Sequence, residues 1–342
     1  MKLRLTTYIA AAVLALTAAA CGSEADEPQV NDLKGNLTIT VAPMVDMTEA
    51  PWDDGATRSL SPLDPKIENT IKSVAIFQFD SEGNLQEVSG TGEYYRYYAL
   101  TSTSNPDGVL SLTMPVTDFY SEDRGNSVVC VLANVPETVV RAKLYPRGSD
   151  DPIDYREFQN LTLTLPYSTG GANGNSIGLV ESMYMFGYYE GRVTERDQKI
   201  NIALGRLVSR LNLTFKLGEG ATFDPSKHLY LALMNVSTEA QVVFTSNPMS
   251  TTKWKETNAY EVPTDFSDGT DFNCFFYVAP VMKNDVAEAV KLKMWYADTR
   301  PDVNSTADYE EYLCTEPPSA GIRDFKLNRN CMYDFIFTLT TK

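Results

Sequence analysis

The chain has 342 residues, 43% of them apolar and 22% charged, which is enough apolar material for two packed cores and excludes a wholly disordered protein. Its 29 Lys and Arg stand against 45 Asp and Glu, a formal charge of −16 that repels nucleic acid and anionic membrane surfaces. A single histidine, His228, excludes every mechanism that needs two imidazoles, HExxH zinc hydrolysis among them.

Residues 1–20 read as a signal peptide. Lys2 and Arg4 give a basic start, and Ile9 to Ala20 is an apolar run shorter than the ~20 residues a membrane-spanning helix needs. Ala18-Ala19-Ala20 leads directly into Cys21-Gly22-Ser23, the form of a lipobox, with Ala18 where Leu is usual. This reading makes Cys21 the lipidated first residue of the mature chain. The acidic Glu24, Asp26 and Glu27 fit a signal for display at the outer surface. Cys130, Cys274, Cys314 and Cys331 show no CxxC or zinc spacing. They read as buried thiols, with disulfide pairing left open.

Beyond the leader the sequence alternates with a period of two, the signal of strands half-buried on a core. Leu37, Ile39 and Val41 face one way, with Thr38 and Thr40 opposite. Thr48 to Pro65, rich in Pro, Asp and Gly, is an exposed irregular loop. Glu68 to Ser73 and Pro136 to Arg141 supply a helical turn or two. Val74 to Phe79, Val128 to Ala133 and Cys274 to Ala279 are apolar on both faces and suit central strands. Tyr94-Tyr95-Arg96-Tyr97-Tyr98 places rings on both faces of a strand, either for sugar stacking or for edge packing. Alternation returns at Leu161, Leu163 and Leu165, at Leu211 to Leu217, and at Val290, Leu292, Met294 and Tyr296. It closes with Tyr333, Phe335, Phe337 and Leu339 on one face.

Three motifs are decoys on this reading. Gly174 to Gly178 matches GxSxG but lies in a Gly/Asn-rich loop with no helix signal after it. Asp265 to Asp271 and Asp298 to Glu311 carry oxygen donors without the bidentate Glu of a calcium loop. His228 follows a turn and reads as an edge residue. The fold class is all-β: two tandem β-sandwich domains, transthyretin-like or Greek-key in type, with few short helices. The expected divisions are 1–20 signal peptide, 21–58 propeptide with the first strand and anchor, 59–195 N-terminal sandwich and 196–342 C-terminal sandwich.

Four segments in order resemble the fimbrillin family, the lipoprotein precursors of type V pili. They are IKSVAIFQFDSEGNL (Ile71 to Leu85), VVCVLANVPE (Val128 to Glu137), LGRLVSRLNLTF (Leu204 to Phe215) and LNRNCMYDFIFTL (Leu327 to Leu339). The resemblance implies that an Arg-specific protease cuts Arg58-Ser59, releasing Cys21 to Arg58 with its lipid and the plug strand Leu37, Ile39, Val41. Another subunit's extended segment then fills the groove by β-strand addition, head-to-tail. Family stalk subunits carry a donor segment beyond the Arg-Asn-x-x-Tyr strand. Here either Cys331 to Thr340 is the donor or the subunit is a tip or an anchor.

The expected function is thus a structural fimbrial subunit supporting adhesion. It is exported to the outer membrane as a lipid-anchored precursor and then joins a cell-surface fimbrium. Its partners are other fimbrial subunits, the Arg-specific protease and a possible host or bacterial surface ligand, with no enzyme activity, metal or cofactor. The alternative is a monomeric outer-membrane lipoprotein that binds glycans through exposed aromatics.

Overall fold

The computed structural model describes residues 35–44, 48–49, 68–100, 108–120, 126–148, 151–166, 176–177, 183–193, 197–222, 224, 226–243, 254–255, 260–262, 272–283, 285–304, 309–315 and 325–340. Cys21, Arg58, Ser59 and the 265–271 segment lie outside them. The longer strands are β1 (Asn36–Pro43), β2 (Ser73–Phe79), β3 (Arg96–Ala99), β4 (Leu110–Pro115), β5 (Ser127–Ala133), β6 (Met185–Gly191) and β7 (Gln198–Arg206). They continue with β8 (Ser209–Leu217), β9 (His228–Met234), β10 (Phe272–Val278), β11 (Lys291–Ala297), β12 (Glu310–Leu313) and β13 (Cys331–Leu339). Two short α-helices are described, α1 (Glu137–Leu144) and α2 (Tyr155–Gln159), so the fold is all-β as the alternation requires.

Strands β1 to β7 form a seven-stranded sheet in the order β3-β2-β5-β6-β7-β1-β4. A second sheet runs Thr48–Glu49, β13, β8, β10, Ser176–Ile177, and a third runs Tyr260–Val262, β9, β11, β12. Buried side chains collect in two large clusters. One is built on the first sheet, including Leu37, Ile76, Phe77, Val131 and Phe158. The other lies between the second and third sheets, including Leu213, Phe276, Leu292, Tyr333 and Phe337.

β2 and most of β5 are buried on both faces; on one face of β2, helix α2 packs Phe158 against Phe77 and Phe79 at ring distances of 5.2 and 5.4 Å. The signal for α2 lies in the sequence. Asp154 accepts from the Glu157 N–H while the Glu157 carboxylate accepts from the Asp154 N–H, a reciprocal cap on a short helix. α1 starts one residue after Pro136 and runs further than Arg141, to Leu144.

β11 differs from its expected single buried face. Val290, Leu292 and Met294 enter the cluster between the second and third sheets, while Lys293 and Trp295 on the other side are buried too. Trp295 joins Tyr230 and Ala232 in a small third cluster. Lys293 is held there because its ammonium reaches the Val303 carbonyl at 2.9 Å and lies 4.8 Å from the Tyr309 ring centre. Tyr296, placed in sequence with the buried face, is exposed.

Candidate functional site

The alternating residues of β1 point inward as the sequence predicts. Leu37, Ile39 and Val41 have no exposed surface, and each such side chain contributes about 1.5–3 kcal/mol by burial. The position of β1 in its sheet matters more. It pairs parallel with β7 from Leu37↔Gln198 to Pro43↔Leu204, and antiparallel with β4 from Asn36↔Pro115 to Val41↔Leu110. β7 forms ladder pairs with β6 only at Gly205 and Arg206 among the described residues. Over 198–204, β1 is thus its ladder partner, and among the described residues β4 has no other.

Outer-face hydroxyls reinforce the seat. Thr40 Oγ1 lies 2.9 Å from Ser111 Oγ, and Thr38 Oγ1 lies 3.4 Å from Thr113 Oγ1. The exit of β1 is tightly packed. Gly108 has φ +66°, and a methyl group there would stand 2.8 Å from Pro43 and 2.6 Å from the Asn69 carbonyl oxygen.

The chain then crosses to the second sheet. Thr48 and Glu49 pair parallel with Cys331 and Met332 at the start of β13. The segment ahead of Arg58 therefore supplies strand to two sheets, one at β7/β4 and one at β13.

Between the two sits a polar cluster that sequence reasoning missed. The buried Arg206 guanidinium donates to the Glu68 carbonyl at 3.1 Å, the Met44 carbonyl at 3.3 Å, Asn330 Oδ1 at 2.9 Å and the Asn69 side-chain oxygen. Arg210 pairs with Glu68 at 3.1 Å, and the Tyr277 hydroxyl donates to the same carboxylate at 2.5 Å. Burial, then the Glu68 charge, hold the Tyr277 phenol well above its ordinary range. Arg329 donates to the Val242 carbonyl at 2.6 Å, and burial lowers its pKa to about 10. No local signal marks these partners, which lie 124–162 residues apart for the Met44, Glu68, Asn69 and Asn330 contacts.

β13 is not a spare strand. Eight parallel pairs, Arg210↔Met332 to Leu217↔Leu339, join it to β8, and Tyr333, Phe337 and Leu339 are buried in the C-terminal cluster. Phe335 is partly buried against the same cluster. Departure of Cys331 to Thr340 as an outgoing donor would strip that core.

The tyrosine run likewise packs inward. Tyr95 is buried with its ring 6.1 Å from Tyr145, Tyr94 stands 6.0 Å from the same ring, and the Tyr97 hydroxyl donates to the Val135 carbonyl. The segment from Val135 to Tyr145, which contains α1, thus covers part of the aromatic surface on which the glycan alternative rests.

Ser176 and Ile177 of the GxSxG decoy form a short strand parallel to β10 instead of a strand-to-helix turn. His228 begins β9, half-exposed, with Nδ1 2.9 Å from Glu261 Oε1. Cys130, Cys274 and Cys314 are buried free thiols, and Cys331 is partly exposed. Burial raises the pKa of the first three, to about 12 for Cys314.

No family model matches the sequence. No curated protein matches it either. Solved structures do. A Parabacteroides distasonis protein with a provisional cell-adhesion name aligns over 90% of this chain and 89% of its own, at 15% identity and TM-score 0.51. The tip fimbrial protein Mfa3 of Porphyromonas gingivalis, truncated at its C-terminus, aligns over 90% of this chain and 96% of its own, at 12% identity and TM-score 0.49. A fimbrial assembly protein from Parabacteroides distasonis covers 90% and 92%, at 12% identity and TM-score 0.48. The first of these likenesses carries the fold: the chain shares the architecture of that Parabacteroides distasonis protein.

Proposed function

We propose that this chain is a cell-surface fimbrial subunit, made as a lipid-anchored precursor, whose N-terminal segment is a removable plug. The supporting observation is the seat of β1: fully buried apolar side chains, with β7 and β4 on either side depending on it for their ladders. Cutting at Arg58-Ser59 would separate the segment carrying Cys21, β1 and Thr48–Glu49 from the rest of the chain. Its loss would bare two strand edges and the pockets of Leu37, Ile39 and Val41.

Bare edges of that kind recruit extended chain. A segment of another subunit would restore the main-chain hydrogen bonds and, with apolar residues at alternate positions, the burial. The first strand of the same chain blocks this until it is cut, so proteolysis acts as the assembly switch. The adhesion and fimbrial names borne by similar structures point to the same class of role.

Limited digestion of the purified, lipid-free precursor with an Arg-specific protease tests this. The expected result is one early cut, located by mass after Arg58, followed by concentration-dependent association into SDS-resistant oligomers. Digestion at many arginines with equal speed, or a clean cut with no association at any concentration, would count against it.

A further inference from the structure

We infer that Arg206 and Asn330 sense how far a strand fills the slot between β7 and β4, and transmit that to the turn that opens β13. The inference rests on the proposal that another strand can take the place of β1. Arg206 is the last residue of β7 and is 1% exposed, so its charge must be met by internal acceptors. One of them, the Met44 carbonyl, lies one residue beyond β1. Met44 N–H donates to the Leu204 carbonyl at 2.9 Å, which carries the parallel ladder one step past Pro43. Only a strand that stays extended past its third apolar residue, through the positions of Pro43 and Met44, delivers a carbonyl to that point. A shorter strand fills the apolar pockets and withdraws one acceptor from the cation.

Asn330 receives the signal. Its side-chain oxygen accepts from the Arg206 backbone N–H at 3.3 Å and from Nη1 at 2.9 Å, and its amide nitrogen lies 3.6 Å from Met44 Sδ. Its own backbone N–H donates to the Val208 carbonyl at 2.7 Å, and Ser209 Oγ donates to the Asn328 carbonyl at 2.7 Å. The turn at 328–330 is thereby fastened to the β7–β8 connection, one residue ahead of β13. Filling of the slot in the first sheet and order at the start of a core strand in the second share one guanidinium.

The partner this selects is an extended segment with apolar residues at three alternate positions and at least three further residues in extended register. The final contact is made to main chain, so the identity of the last residue matters less than its presence.

The test uses the full, uncut chain and amide hydrogen exchange. Ile39→Ala loosens β1, and exchange is followed at Leu110–Met114, which adjoin β1, and at Asn330–Tyr333. The expected result is acceleration of at least about tenfold at both segments. Adding Asn330→Gly should leave the first response intact and abolish the second. Glycine suits that site because Asn330 has φ 53°, so the change removes the amide without straining the turn. Arg206→Met is the stronger form of the same test and should uncouple the segments in the same way.

Equal acceleration at Asn330–Tyr333 with and without Asn330→Gly overturns the inference. So does acceleration confined to Leu110–Met114, or none at either segment. Oligomers that form after the Arg58 cut without this coupling would leave the proposed function standing and remove the sensor. Coupling in a chain that never associates would do the reverse.

Discussion

β1 and β13 are built alike and held differently. Each alternates apolar and polar residues, each lies parallel to a long neighbour, and each buries its inward side chains. β13 enters from a turn fastened to the β7–β8 connection and completes the cluster formed with β8, β9 and β11. β1 lies between two strands that owe it their ladders, and the bond Arg58-Ser59 stands between it and the rest of its own sheet in sequence. Alternation therefore encodes burial and not permanence. Whether a buried strand can be exchanged depends on where the chain can be opened and on what its neighbours lose.

The largest expected effect separates the two strands at once. Phe337→Ala, in β13, should cost about 3–5 kcal/mol in urea denaturation of both precursor and Arg58-cut protein. Ile39→Ala should cost about 2–5 kcal/mol in the precursor and nothing in the cut protein once residues 21–58 have departed. A cost that persists after cutting would mean β1 stays in place and is held as firmly as β13. Gly108→Ala tests the strand exit alone. The positive φ and the contact with Pro43 predict a loss of about 1–3 kcal/mol in the precursor, shrinking after the cut.

The smallest effect is alkaline. Burial raises the pKa of the Cys130, Cys274 and Cys314 thiols, so the unfolded chain releases their protons first and stability falls as pH rises above the free-thiol value of 9.0. At half a unit beyond that value each thiol should account for less than about 1 kcal/mol. Two of the three lie in the C-terminal cluster, so that half should weaken first; stability unchanged between pH 8 and 9.5 would contradict it. Arg329 opposes the trend from about pH 10 upward, because its lowered value lets the folded state shed a proton before the unfolded chain does.

Much of the fold is legible in the sequence because period-two burial is a local pattern. Leu37, Ile39 and Val41, Leu211 to Phe215, and Tyr333 with Phe337 sit inside as alternation requires, and the continuous run at Val74 to Phe79 is covered on both faces. What escaped is non-local. The tyrosine run alone does not reveal that Tyr145 of a later segment covers it, nor does Lys293 announce the Val303 carbonyl and Tyr309 ring that make its burial bearable. The Arg206 cluster is the clearest case. Its acceptors come from three stretches far apart in the chain, two of them main-chain oxygens that carry no residue signature.

The direction of β1 has a consequence of its own. It runs with β7 and against β4, and the two kinds of ladder present differently angled bonds, evenly slanted on one side and perpendicular on the other. A guest entering reversed would meet each neighbour with the wrong set. The cleft therefore has an arrow, and a fibre assembled through it would have every subunit pointing one way. Its two ends would differ chemically, and even a broken fragment would keep a distinct base and leading end.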